Sequence, residues 1–367
     1  MYIHQQKEWP RFRWNAEKLM SALADVRHSQ GRLLGRMGAL GFSMRKEASL
    51  QTLTLDVLKS SEIEGEIFNR EQVRSSIARR MGINAGGSIL IDRHADGIVE
   101  VMLDATENKD TVLTKDRLFN WHAALFPTGR SGIQRITVGQ WRGEKSGMMQ
   151  IVSGSYGHEK VHYEAPSFDR VAPEMKSFLS WFNSAAESDL VIKAALAHFW
   201  FVTIHPFDDG NGRLARAIAD MVLARSEQSS LRFYSMSAQI QKNRRVYFNI
   251  LEECQKGSLD MTLWIEWFLS CLQGAINSAE KTLESILVKA NFWEAHSGDS
   301  FNNRQQQILN RLFDGFDGKL TSSKWAKLEK CSQDTALRDI NDLLLRQILK
   351  KEQAGGRSTS YVLETRP

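Results

Sequence analysis

The stretch from Ala195 to Arg225, ALAHFWFVTIHPFDDGNGRLARAIADMVLAR, constrains the fold more than any other part of the chain. An apolar run from Phe199 to Ile204 meets a polar knot, His205 to Gly212, beyond which Leu214, Ala217, Ile218, Met221 and Val222 recur at helical spacing. The pattern predicts two buried helices joined by a short polar loop.

The content of that loop suits a phosphate. Gly210 and Gly212 permit backbone geometries closed to other residues, so that consecutive N–H groups can converge on an anion. The helix that starts there adds its N-terminal partial positive charge. Arg213 and Arg216 stand three apart, near one helix face, and their forked donors match phosphate oxygens. Asn211 adds a neutral donor, and Asp209, beside so many phosphate donors, makes most sense as a ligand of Mg²⁺ between phosphate oxygens. His205 is the group here suited to take a proton near neutral pH. The competing reading is a core histidine beside glycines that merely turn the chain.

HPFDDGNGRLAR, His205 to Arg216, resembles the signature of the Fic family, HPFx(D/E)GN(G/K)RxxR, at every position. Members of that family mostly transfer AMP from ATP to a protein hydroxyl with release of pyrophosphate. The resemblance implies that His205 is the general base and that Asp209 holds Mg²⁺ against the α- and β-phosphates. It further implies an anion hole at Gly210, Asn211 and Gly212, with Leu214 lining the nucleotide site. Arg213 would grip the β-phosphate, Arg216 the γ-phosphate, and Phe207 would anchor the loop.

Ser60 to Gly65, SSEIEG, resembles the inhibitory motif (S/T)xxxE(G/N) that some members carry before the catalytic domain. A carboxylate at Glu64 placed beside Arg216 would form a bidentate pair and occupy the donors meant for the γ-phosphate. ATP would then bind with its α-phosphate out of line, and a misplacement of about 1 Å costs roughly a hundredfold in rate. A helix cap followed by a solvated glutamate is the plain alternative.

In GQWRGEKSGMMQIVSGSYGHEKVHYEAP, Gly139 to Pro166, apolar and polar residues alternate on either side of Ser153, Gly154, Ser155 and Gly157, which predicts a hairpin. The resemblance makes this a flap over the ATP phosphates, with Ile151, Val152, Ser153 and Gly154 touching nucleotide or target. Arg142 and His162 read more simply as structural. Tyr247 matches a family position that touches adenosine. The Asn that closes the matching helix is here Gln255, an amide on a longer arm.

At 367 residues and 42% hydrophobic content, the chain can bury two or three domain cores. No apolar run reaches membrane-spanning length, and the start, MYIHQQKEWPRFRW, is too polar for a signal peptide, so the expectation is a cytoplasmic protein without a membrane partner. Cys254, Cys271 and Cys331 have no metal-site spacing. Of the net charge of +5, residues 301–367 carry +4, from 12 Lys/Arg and 8 Asp/Glu. There NRQQQILNRLF, SSKWAKLEKC and QDTALRDINDLLLRQIL read as three helices, and Gly355–Gly356 as the turn of a two-stranded wing. Thr335, Arg338 and Asp339 are expected on the exposed face of the third helix. Lys350, Lys351 and Arg357 are placed to approach DNA phosphates, protein contact or dimerisation being the alternative use.

The expected fold is mainly α, a Fic helical core with a β-hairpin flap. An N-terminal helical region (1–48) precedes the Fic domain (49–290), which includes the inhibitory helix (about 55–66) and the flap (about 148–164). A C-terminal winged helix (300–367) follows. The expected function is Mg²⁺-dependent transfer of AMP from ATP to a Ser, Thr or Tyr hydroxyl of a target protein and of the chain itself, restrained by Ser60, Glu64 and Gly65. The open alternatives are removal of AMP, transfer of another nucleotide, and a nucleotide-sensing DNA-binding regulator. A homodimer is compatible with all of them.

Overall fold

Apolar residues at helical spacing close into helices through most of the chain. The structure, a computed structural model, describes residues 1–83, 92–153, 160–184, 189–313, 316, 318–352 and 359–364. It divides into two compact units, Met1–Glu280 and Lys281–Pro367. In chain order the helices of the first are α1 (Ala16–Gly38), α2 (Phe42–Ile63), α3 (Arg70–Arg80), α4 (Arg93–Glu107), α5 (Lys115–Leu125), α6 (Phe168–Asn183), α7 (Leu190–Ile204), α8 (Asn211–Glu227), α9 (Met236–Lys242) and α10 (Arg244–Lys256). Then comes α11 (Thr262–Ala295), within which the division falls. Two antiparallel hairpins interrupt them, β1 (Arg130–Ser131) with β2 (Gln134–Arg135), and β3 (Gln150–Ser153) with β4 (Lys160–Glu164).

Helices α7 and α8 form the centre of the first unit. From Val191 to Ile204 every residue of α7 is buried, so the helix is apolar all round rather than amphipathic. Asp189 caps its start, accepting from Val191 N at 2.7 Å and Ile192 N at 3.2 Å. Its end is set by Pro206, which cannot continue a helix. The N-terminal aromatics pack on this helix: Trp9 and Phe12 meet Trp200 edge-on with centroids 6.2 and 5.6 Å apart, and Phe12 also meets Phe199. Helix α2 runs across residues 48–49, where a boundary was expected, and ends at Ile63 rather than 66.

The second unit holds α12 (Asn303–Phe313), α13 (Ser322–Leu328) and α14 (Gln333–Leu345), then an antiparallel pair, β5 (Leu349–Lys351) with β6 (Tyr361–Leu363). Trp325, Ile308, Leu309, Ile340, Leu343 and Tyr361 are at its core. Asp339 departs from expectation. It is buried, taking Arg304 Nε at 2.7 Å and Asn302 Nδ2 at 2.9 Å, because it follows Ala336 and precedes Leu343 on the inward face of α14. Arg338, Lys350 and Lys351 are exposed, Lys350 with its Nζ 3.4 Å from Glu364 Oε1. Gly355, Gly356 and Arg357 lie outside the described residues. Among the described residues no helix is long and apolar enough to cross a membrane.

Gly97 of α4 lets α5 approach closely: a Cβ there would collide with the carbonyl of Ala124, the carbonyl carbon being 2.6 Å away. Gly97→Ala is therefore expected to cost about 1–3 kcal/mol by overpacking. Calorimetry should show a melting midpoint lowered by several degrees; an unchanged midpoint would mean that the two helices separate freely.

Candidate functional site

The polar loop between α7 and α8 is built by two residues in left-handed backbone geometry. His205 sits at φ 53° and ψ 59°, a strained conformation for a residue with a side chain. Gly210 is the N-cap of α8 at φ 79°, and it has no side chain to cap with. The N–H groups of Asn211, Gly212 and Arg213 in the first turn of α8 thus have no acceptor among the described residues. That is the anion-binding end of a helix, left open.

The rest of the loop is braced from outside. Asn211 is buried and spends its side chain on the backbone of Phe207, accepting from its N–H at 3.0 Å and donating to its carbonyl at 2.9 Å. The neutral donor expected from its amide is therefore committed to the loop, and what Asn211 can offer an anion is its main-chain N–H. Leu214 is fully buried in the core, so it lines no open surface. Gly210 is packed by Phe126, whose ring would lie 2.9 Å from a Cβ placed there. Asp208 accepts from Thr137 N at 2.8 Å and Ser146 Oγ at 2.6 Å. Arg142, buried, donates from Nε to the carbonyl of His205 at 2.8 Å and from Nη2 to the carbonyl of Pro166. His122 stacks on Phe207 with centroids 4.2 Å apart, takes Gly139 N–H on Nδ1 at 3.2 Å, and donates from Nε2 to the carbonyl of Asp209 at 3.2 Å. Apart from the Asn211–Phe207 pair, these braces join segments far apart in sequence, which is why His122 escapes a reading of motifs.

The imidazole of His205 donates from Nδ1 to the carbonyl of Val202 at 3.2 Å. This fixes the neutral tautomer with a lone pair on Nε2. Burial lowers its pKa to about 4, with Arg142 a lesser contributor, while the Val202 carbonyl, Asp209 and Glu64 oppose the shift. The carboxylate of Asp209 is partly exposed, accepts from Ser131 Oγ and from Gly210 N at 2.5 Å, and lies 4.0 Å from Arg213 Nη2.

Two buried arginines meet carboxylates of the chain itself. Arg216 Nη2 donates to Glu64 Oε1 at 2.8 Å and to the carbonyl of Ser60 at 2.9 Å, while Nε donates to Ser60 Oγ at 2.9 Å. The pair with Glu64 is thus single, not bidentate; Ser60 takes Nε and shares Nη2, and Nη1 is buried with no hydrogen-bond partner among the described residues. Glu64 also lies against Gly212, where a Cβ would overlap its carboxylate. The contact missed in the sequence is the second one: Arg213 Nη1 donates to Glu66 Oε2 at 2.6 Å. Gly65, at φ 87°, turns the chain between these glutamates. Arg244 Nε holds the end of α2 through the carbonyl of Ile63 at 2.8 Å.

The flap residues have one exposed edge. Ile151 pairs with Tyr163, Val152 with Val161 and Ser153 with Lys160, with a register shift after Ile151. Val152 is 48% exposed. Gly154 lies outside the described residues. The hairpin is tied down by Tyr163, whose hydroxyl donates to the carbonyl of Thr203 at 2.8 Å, and by His162 between Ser153 Oγ and Glu252 Oε2, both at 2.5 Å. Tyr247 is buried with its hydroxyl 3.1 Å from His198 Nε2, and Gln255 donates to Thr203 Oγ1 at 3.3 Å, so both face inward to α7.

Residues 112–223 match the Fic/DOC family, a span that contains the whole loop, its braces Ser131 and Arg142, and both arginines. They form a Fic domain. Residues 2–83, which include Ser60, Glu64 and Glu66, match a domain of unknown function, DUF4172. A Fic family protein from Desulfovibrio desulfuricans G20 aligns over 94% of this chain and 97% of its own, with 20% identity and a TM-score of 0.53. A Fic domain containing signaling protein from Bacteroides thetaiotaomicron VPI-5482 aligns over 70% of this chain and 95% of its own, with 19% identity and a TM-score of 0.50. These establish the mainly helical Fic fold. Curated relatives called protein adenylyltransferase Fic, from Drosophila willistoni and Aedes aegypti, are each 26% identical over 235 residues, or 60% of this chain. The alignments span 43% of those relatives' own length.

Burial likewise holds His4 and His122 down to about 4 and His198 to about 3. In the unfolded chain all four histidines take a proton near pH 6.5, but in the folded chain none does until far lower. Folding stability should therefore be fully present above pH 6.5 and fall progressively as pH drops toward 4. Thermal melting across that range, with proton uptake measured on unfolding, checks it; a midpoint flat from pH 7 to 4.5 would contradict it.

Proposed function

We propose that this protein transfers AMP from ATP to a hydroxyl of a target protein, with release of pyrophosphate. The observation that carries the reading is a neutral imidazole with a lone pair on Nε2, set at the end of α7, one short loop before an uncapped helix N-terminus and two buried arginines. The names of the curated relatives support the same reaction.

In this mechanism the N–H groups of residues 211–213 and the guanidinium of Arg213 hold phosphate oxygens, and Arg216 receives the γ-phosphate once Glu64 has left it. Nε2 of His205 takes the proton of the incoming hydroxyl. The alcohol oxygen forms its bond to the α-phosphorus as the bond to pyrophosphate breaks. Burial keeps the ring unprotonated at neutral pH, the form that can accept a proton, while its lowered basicity reduces the driving force for taking one. Burial of its surroundings and the Arg142 contact to its carbonyl keep the ring in place.

The donor set fits Mg²⁺. Among the described residues no group of three or more His, Cys, Asp or Glu could hold a metal ion alone, and Asp209 is a single, partly exposed carboxylate. Magnesium characteristically takes one or two carboxylates and completes its shell from phosphate and water. Bound there, it would neutralise charge on the α- and β-phosphates. The exposed edge at Val152 suits an extended target segment, which would add a strand to β3. The expected self-modification follows from the same chemistry if a hydroxyl of the chain reaches the flap. For the second unit we keep the winged-helix reading, with DNA or protein as its partner and Arg338 and Lys351 as exposed cations.

The restraint is the single Glu64–Arg216 pair together with Ser60. Glu64→Gly should raise transfer of label from ATP, onto added protein or the chain itself, by roughly tenfold to a hundredfold, since a misplacement of about 1 Å costs up to roughly a hundredfold. Equal or lower transfer would remove Glu64 from the account, and label taken from UTP but not ATP would change the donor. His205→Ala should lower transfer by roughly 10²–10⁴-fold while leaving ATP binding nearly unchanged, because a base acts on the transition state. Loss of binding to the same degree would make His205 a structural residue.

A further inference from the structure

The turn that ends α2 presents two carboxylates to the site. Glu64 and Glu66 both donate their N–H to the carbonyl of Ser61 at 3.0 Å, and Gly65 between them sits at φ 87°. The turn is therefore a rigid holder with a carboxylate at either end. Glu64 reaches Arg216 at 2.8 Å and Glu66 reaches Arg213 at 2.6 Å. Arg213 is buried, lies over the Phe126 ring at 5.0 Å, and its Nε has no hydrogen-bond partner among the described residues. Its charge-paired contact on the described surface is Glu66, with Asp209 at the longer distance of 4.0 Å. Three carboxylates around one helix N-terminus repel one another, and the pole and the two guanidinium groups are what make the arrangement tolerable.

We propose that Glu66 is a second, separable restraint: it occupies Arg213 while Glu64 occupies Arg216, so the two glutamates guard different phosphates of the nucleotide. The inference rests on the nucleotide-transfer reading, in which Arg213 serves the β-phosphate and Arg216 the γ-phosphate. Together the two side chains stand in for the polyphosphate they exclude. Glu66 then sets how well any nucleotide with a β-phosphate binds. Glu64 acts where a γ-phosphate is present. Gly65 is what allows both, since a side chain at that φ would strain the turn without meeting any steric obstacle.

Nucleotide affinity separates the two roles without relying on activity. Calorimetric titration of the full chain with AMP, ADP and the α,β-methylene analogue of ATP, all with Mg²⁺, should show Glu66→Gln binding ADP and the analogue more tightly by about fivefold, the worth of one modest ion pair, and AMP as before. Glu64→Gly should tighten the analogue more than ADP. Glu66→Asp, which keeps the charge on a shorter arm, should fall between Glu66→Gln and the parent, and melting curves of all three variants verify that they are folded. If ADP affinity is unchanged by Glu66→Gln, or if AMP shifts as much as ADP, Glu66 guards no β-phosphate and the inference is overturned, with the nucleotide reading left standing. If parent and variants bind none of the three nucleotides, the nucleotide reading itself falls and takes the inference with it.

Discussion

An uncapped helix N-terminus organises this protein. Most helices here begin with a side chain that accepts from the first turn, as Asp189 does for α7 and Ser235 for α9. At α8 the N-cap is Gly210, and the freed N–H groups leave a positive pole inside a mostly apolar unit. An open pole of this kind is costly in a folded chain unless an anion satisfies it. Much of the surrounding structure follows from that demand: two buried arginines add to the pole, and carboxylates from a distant turn approach it.

The loop is rigid because its polar atoms are spent. Asn211 closes a reciprocal pair with Phe207, Asp208 ties two neighbouring segments, and Arg142 and His122 hold the carbonyls at either end of the loop. A site for chemistry needs its groups placed to a fraction of an ångström, and backbone held by buried side chains achieves this better than a free loop could. The strained φ of His205 belongs to the same economy of placement: it ends α7 and sets the imidazole against the carbonyl of Val202. The tautomer this contact selects leaves the far nitrogen unprotonated.

The glutamates that meet the two arginines come from a segment far from the loop in the chain. Glu64 and Glu66 end a helix that is itself held down by Arg244 at Ile63, and by Asp56, which accepts from Ser237 N at 3.1 Å. The turn beyond that helix is fixed in its own right, since the N–H groups of Glu64 and Glu66 both donate to the carbonyl of Ser61.

Much of this was legible in the residues. The apolar run and the glycines announced two buried helices joined by a polar loop, because helical spacing and glycine freedom are local properties. The approach of Glu64 to Arg216 was expected from the resemblance of Ser60–Gly65 to a family motif, not from local pattern, and is seen as a single hydrogen bond. The sequence left undecided which donors stay free. Asn211 looked like a ligand and proved to be a brace, Leu214 proved to be core, and Asp339, expected outside, is buried against Arg304. Glu66 carried no signal of its own, since its partner lies far along the chain and an exposed glutamate after a helix is ordinary. The local pattern thus determined the elements and the chemical types available at the loop. Only the tertiary structure decided how those groups pair, because hydrogen bonds and ion pairs between distant segments depend on packing that no short window of sequence contains.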